Sequence, residues 1–403
     1  MSISSASDAL PSDHASTTGG QALRSFAKSG ISSCPVFDGK VYQGFVDCFD
    51  ILRALLSLVD IRSLTEENRE YKLRVAGLQL EHQPLRSLNI SQDGALIYKA
   101  DLQSTLHDVV LYGFLQPDSA GCLQVVHRVG VFDAEDDGSD DDMTAGEPDS
   151  LQGINISAIV SQSDVVAFLH KHVQQLGPLA DASLAQLGLA DKAVVCVPGE
   201  MSAIHAFASM AANKVSCVGV ISHAHGGGLV GSLSSSDLAG LLPEHFVSLA
   251  DPVLQYLTAR ASASRQQHQQ QQQQAVGSAH AWGLKGAEGL KPPPLVSVTP
   301  HSSLRQLLAL LAVHRLHRLH VLDERSRPVG IVTATDLLRL IVGPSELLEA
   351  CGPDVDLETE VEALSPADPP DCGMGMDEGA ELIEPRRGLM GVPSSQALLD
   401  AVV

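Results

Sequence analysis

Two short patterns recur in this chain, and both use residue types that bind or cap rather than cleave. The first is Ser/Thr-x-x-Asp: Ser161-x-x-Asp164, Ser234-x-x-Asp237 and Thr333-x-x-Asp336, with Asp47-x-x-Asp50 as a variant. At a helix start this spacing makes a capping box: the hydroxyl accepts from the amide three residues on, and the acid accepts from the cap amide. The second pattern is a His-Arg pair, His127-Arg128 and His317-Arg318. An Arg fork with a His nearby can hold phosphate oxygens, although a solvated strand edge is the plainer reading. Recurrence of the pair at one position favours binding. Gly226–Gly231 (GGGLVG) has no following Lys and reads as a hairpin rather than a phosphate cradle. His223-x-His225 has no third ligand nearby, and no hydrolase, kinase or zincin signature is present.

These residues need elements to position them, and residues 295–342 show which. Val296 and Val298 alternate with polar residues, as in a short strand. Leu304, Leu307, Leu308 and Leu311 repeat at helical spacing. HRLHVLD (317–323) and Val329–Val332 read as a second and a third strand, and Thr333 to Asp336 open a second helix. Three looser copies precede this one. The first lacks an obvious first strand and carries SSCPVFDGKVYQGFVDCFDILRALL; the second has a helix over Leu102–Phe114, then HRVGVFD and ISAIVSQSDVVAFL; the third has AVVCVPG, a helix over Ala203–Asn213, VSCVGVIS and GLVGSLSSSDLAGLL. Each ends in an Asp at an expected helix start. From the Asp closing the second strand to that Asp is 12 residues in copy one (Asp38 to Asp50), 13 in copy four (Asp323 to Asp336) and 31 in copy two (Asp133 to Asp164).

The strand–helix–strand–strand–helix order, HRLHVLD and GIVTATDLL resemble the CBS repeat, an α/β (α+β) nucleotide-binding unit. Four copies imply two paired modules. The expected layout is a disordered 1–20, repeat one at 21–60, and repeat two at 84–173 with an acidic insert at 134–150. Repeat three follows at 191–243, a Gln-rich linker at 261–290, repeat four at 295–343 and an acidic, mostly disordered tail at 351–403. A linking helix is expected over 64–82. HRVGVFD, IVSQSDVVAFLHKH and GSLSSSDL extend the resemblance to the four-repeat gamma regulatory subunit of AMP-activated and sucrose-non-fermenting-related kinases. GFVDCFDI and FVSLADPVLQYL look most like its plant-type branch.

That resemblance implies a non-catalytic, energy-sensing subunit binding AMP, ADP or ATP, with kinase catalytic and scaffold subunits as partners. It implies ribose contacts from Asp50, Asp164, Asp237 and Asp336 with Ser161, Ser234 and Thr333, and phosphate contacts from His127, Arg128, His170, His317 and Arg318. A carboxylate suits a ribose because it accepts from two adjacent hydroxyls, yet one carboxylate cannot fully serve both ribose and cap. The chain departs from the family at Ser32 and Ser33, where the animal subunit carries an Arg, and at His170, where it carries a Lys. A CBS-fold scaffold that no longer binds nucleotide is the alternative.

Composition bounds the partners. The chain has 403 residues, a net charge of −22 and 44% apolar content. That charge disfavours nucleic acid and anionic membranes as partners. Seven cysteines without a C-x-x-C read as free thiols in a reducing compartment. No metal site, cofactor or transmembrane run is expected, which suggests the cytoplasm or nucleus.

Overall fold

The computed structural model describes residues 17–29, 31–38, 41–88, 95–98, 105–115, 126–134, 154–239, 241–262, 295–343 and 381–383. Nearly all of the acidic insert and of the Gln-rich linker, and most of the tail, lie outside the described residues; Ala134 ends a strand and residues 261–262, expected as disordered linker, are helical. The fold is mixed α/β, built from four copies of one unit, as the periodicity requires.

Copy one comprises helix α1 (Gly19–Ser29), strands β1 (Ser33–Asp38) and β2 (Val41–Asp47), and helix α2 (Cys48–Leu58). Helix α3 (Arg69–His82) follows; the expected helix over 64–82 starts five residues late, after a 3-10 turn at Ile61–Ser63. Copy two has β3 (Ala95–Tyr98), a helical turn α4 (Leu106–Asp108) that continues as a π-helix (Val109–Leu115), β4 (Arg128–Ala134), β5 (Ile154–Ser161) and α5 (Gln162–Lys171). Copy three has β6 (Val194–Pro198), α6 (Ala203–Ala212), β7 (Cys217–Ser222) and β8 (Gly228–Ser234). Asp237 does not open a full helix, contrary to the sequence expectation. It starts one 3-10 turn, Ser235–Leu238, because Gly240 and Pro243 follow too closely for a helix to propagate. A 3-10 segment (Pro243–Ala250) and helix α7 (253–262) come next. Copy four has β9 (Ser297–Val298), α8 (Leu304–His314), β10 (Arg318–Leu322), β11 (Pro328–Thr333) and α9 (Ala334–Val342).

In copies two, three and four a first strand lies parallel to the central one, β3 on β4, β6 on β7 and β9 on β10. The central strand pairs antiparallel with the next, as β1 does with β2. Among the described residues copy one has only the two-stranded β1–β2 sheet. Two further observations lie outside the sequence reading. Residues 17–20, expected as disordered, are packed: Thr17 accepts from the Leu85 amide at 2.7 Å, and α1 begins at Gly19, close against Leu80. Only a glycine allows that approach. From the tail, Glu381–Ile383 forms β12, antiparallel to β6.

The copies pack crosswise. Copies one and three share the largest core, with Leu23, Phe26, Ile51, Leu52 and Leu55 buried together with Ile204, Phe207, Met210, Val218 and Leu233. In the other half, Val110, Phe114, Val129 and Val165 of copy two meet Leu338 and Val342 of copy four, and α5 lies against α8 and α9. Copies three and four also meet through their sheets, where Cys196, Ile221 and Leu229 pack on Leu322 and Ile331. His320 projects from β10 into this sheet contact and is 2% exposed. Beside it Gly219 packs closely: a Cβ there would lie 3.0 Å from both Cys196 Sγ and Leu229 Cδ1. The ring Nε2 shares a hydrogen bond with Ser232 Oγ at 3.1 Å, and Ser232 in turn meets Cys217 Sγ at 3.1 Å.

Two outcomes test this packing. At Gly77 of α3 a Cβ would collide with the carbonyl oxygen of Pro243, so Gly77→Ala should cost about 1–3 kcal/mol in urea unfolding. Burial, with Arg318 nearby, pushes the His320 pKa down from 6.5 to about 4. The unfolded chain takes up this proton below pH 6.5 while the native state does not. Native stability is therefore complete above pH 6.5 and drains by about 3 kcal/mol as pH falls toward 4. His320→Leu should lessen the fall of the urea midpoint from pH 6.5 to 4.5, leaving the part due to His317 and His127; an unchanged slope would assign the acid sensitivity elsewhere.

Candidate nucleotide-binding site

The candidate site lies where the second strand of each copy begins. In all four copies the amide of the first residue after the third strand donates back to one carbonyl. The pairs are Cys48 to Ser32 (3.1 Å), Gln162 to His127 (3.2 Å), Ser235 to Ser216 (3.1 Å) and Ala334 to His317 (2.9 Å). Ser32, His127, Ser216 and His317 are thus equivalent positions. Copies two and four place His-Arg there; copies one and three place Ser-Ser and Ser-Cys.

The two arginines reach across to the serine copies. Arg128 donates to Ser32 Oγ at 2.8 Å, and Arg318 donates to Ser216 Oγ at 2.8 Å. Ser163 of copy two bonds the Nδ1 of His317 in copy four at 2.9 Å. These links draw His127, Arg128, His317 and Arg318 into one cluster. Their electrostatics agree. Burial first, then Arg318, Arg128 and His127, push the His317 pKa down to about 4. Burial also lowers His127, against an opposing pull from Asp47, and Arg318 and Arg128 add to the lowering. Both rings keep a solvent-facing edge, but the protein crowded around them withdraws water from the charged form. Desolvation lowers the Arg128 pKa too, with Asp47 the largest opposing influence. Among the described residues neither guanidinium has a carboxylate within ion-pair distance.

The four aspartates all form capping boxes, so the structural reading of Ser/Thr-x-x-Asp holds throughout. Asp164 accepts from Ser161 N and Oγ at 2.8 and 2.7 Å, Asp237 from Ser234 N and Oγ at 2.7 and 3.1 Å, and Asp336 from Thr333 N and Oγ1 at 2.8 and 2.7 Å. Asp50 accepts from Asp47 N at 3.0 Å. In each case one oxygen, Oδ2, carries the cap, and the other oxygens differ in what they meet.

His170 is not joined to the cluster by any hydrogen bond or ion pair among the described residues. It sits seven residues beyond Ser163 on α5, about 10 Å along the helix axis, with its Nδ1 buried and unpartnered. The sequence reading missed Ser163, Ser216, Lys192 and Arg260. Aligning the starts of the second strands would have revealed Ser216. Nothing local marks the others, because their partners are 144 residues away for Lys192 and 23 for Arg260.

No metal-binding group of three or more ligating side chains is found among the described residues, and no helix there is long and apolar enough to cross a membrane. The CBS domain model matches residues 186–244 and 290–343. A search of curated proteins finds no match. Among solved structures, a Methanocaldococcus jannaschii protein described as a proposed archaeal homologue of γ-AMPK is 13% identical, covering 84% of this chain and 98% of its own, with a TM-score of 0.51. A conserved, uncharacterized Pyrococcus horikoshii protein is 14% identical, covering 77% of this chain and 91% of its own, with a TM-score of 0.39. The chain therefore contains CBS domains, in a fold it shares with the archaeal protein over most of both lengths.

Proposed function

We propose that this chain is a non-catalytic regulatory subunit that binds adenosine nucleotides in its CBS clefts and thereby biases a protein kinase complex. The observation that carries the reading is the cluster of Arg128, Arg318, His127 and His317. Two guanidiniums converge with two imidazoles, crowded by protein, and among the described residues neither guanidinium is in ion-pair contact with a carboxylate, although Asp47 acts on Arg128 and His127 from farther off. A desolvated cation is costly unless paired, and a polyphosphate supplies the missing charge in bidentate form. The aspartates at the helix starts would receive the ribose, and the backbone at Val296–Thr299 would receive the base in copy four. His170 would then act only indirectly, if at all. Kinase catalytic and scaffold subunits are the partners the gamma-like resemblance suggests, in the cytoplasm or nucleus. Its plant-type character rests on GFVDCFDI and FVSLADPVLQYL alone.

The alternative is a scaffold with the CBS fold and no nucleotide, and one observation favours it: every capping aspartate already spends an oxygen on its own helix. Calorimetric titration with AMP, ADP and ATP separates the two. A sensor should bind at least one nucleotide and gain about 2.7 kcal/mol of stability at ligand 100-fold above Kd. Arg128→Ala and Arg318→Ala, each removing a charge-assisted contact worth ~2 kcal/mol, should weaken binding about 30-fold. Folded protein that gives neither heat nor a melting shift with any of the three would leave the scaffold.

A further inference from the structure

The four capping aspartates are alike in sequence and unlike in what their second oxygen meets. In copy one, Asp50 is buried, with a side chain 2% exposed and Arg53 at 3.7 Å from Oδ1. In copy three, Arg260 of α7 holds Asp237 Oδ1 at 3.1 Å. The same guanidinium donates to the carbonyls of Ser236 (3.1 Å), Ala239 (2.9 Å) and Asp237. Arg260 is thus fixed by four acceptors and serves as a permanent clamp on the 3-10 turn. In copy two, Asp164 is exposed, and its Oδ1 meets no hydrogen-bond or ion-pair partner among the described residues. In copy four, Lys192 Nζ lies 2.9 Å from Asp336 Oδ1 and 3.2 Å from Oδ2, so both oxygens are engaged.

Lys192 differs from Arg260 in being displaceable. Its side chain is 47% exposed and its head bonds Asp336 alone among the described residues. The backbone leading to it is fixed. Leu184 and Ala185 donate to the carbonyls of Ser302 and Pro300 at 2.9 Å each, and Leu304 donates to Ala182 at 3.0 Å. The carbonyl of Ala190 abuts Gly330 so closely that no Cβ would fit there. Only the lysine side chain, not its segment, has to swing for Asp336 to be released.

We propose that Lys192 determines which clefts take ligand. Copy two, with the open oxygen of Asp164, fills first. Copy four fills only by displacing Lys192 from Asp336, and copies one and three take no ligand because their aspartates are sealed. The ligand class is one with a vicinal diol and a phosphate, since the diol needs the free carboxylate oxygen and the anion needs the Arg128–Arg318 cluster. This assignment rests on the nucleotide-binding reading above. It divides the molecule into a packing half, copies one and three, and a binding half, copies two and four.

The test is calorimetric titration of the full chain with ADP, in wild type and in Asp164→Asn, Asp336→Asn and Lys192→Met. Asparagine keeps the capping acceptor and replaces the diol-facing oxygen with a donor, and a thermal melt of each variant checks that it folds. The expected result is a tighter event lost in Asp164→Asn and a weaker event lost in Asp336→Asn. Lys192→Met should tighten the weaker event up to about fivefold, the range for a half-exposed ion pair. If ADP binds but Lys192→Met changes neither affinity nor stoichiometry, or if the tighter event follows Asp336, this assignment falls and nucleotide binding stands. If no folded variant binds ADP, both fall together.

Discussion

The arrangement depends on gathering two arginines around two histidines, His127 and His317, each of which feels both positive charges. Arg128 and Arg318 begin equivalent strands of copies two and four, and each is steadied by a serine hydroxyl rather than a carboxylate. A hydroxyl fixes direction without neutralising charge, so the cost of Arg128's lost hydration remains. Something else must hold the copies in place against that cost. The crosswise cores do so: α2 packs toward α6 in one half, and α5 against α8 and α9 in the other. Deep burial of residues such as Phe26, Phe114 and Phe207, all 0% exposed, supplies apolar burial at about 25 cal/mol per Å2.

The repeats are not interchangeable, and the differences track chemistry. At the equivalent strand-start position two copies carry histidine and two carry serine. At the capping aspartate one oxygen is open, one is held by a lysine, one is clamped by an arginine, and one is buried with an arginine nearby. Identical local spacing therefore leads to four electrostatic environments, set by residues distant in sequence. The cap motif builds the element; what it offers a ligand is decided by packing.

Much of the fold was legible because its signals are local. The leucine spacing of α8, the alternation in HRVGVFD and the Thr333–Asp336 box each need fewer than a dozen neighbouring residues to be read. The His-Arg pairs were legible for the same reason, since repetition made them visible. The failures have a different cause. Helix α1 begins with two glycines that fall in the stretch expected as disordered, yet they lie close against α3. The turn at Asp237 was read as a helix because the box is present, while Gly240 and Pro243 cut it short. Lys192 and Arg260 were invisible because an isolated basic residue has no pattern, and only the folded chain brings each to its aspartate.

The two-stranded sheet of copy one has a consequence for how these molecules meet one another. The Cys48 amide bonds the Ser32 carbonyl, so in the β1–β2 register Cys34 and Val36 turn their backbone groups toward β2, and Ser33 and Pro35 turn theirs away. An unpaired strand edge is a template on which a foreign strand can grow. Here one outward position is a proline, which has no N–H to offer, and the register shifts between Val36 and Phe37 just beyond it. With no first strand beside β1 among the described residues, Pro35 makes that edge a poor seed for aggregation.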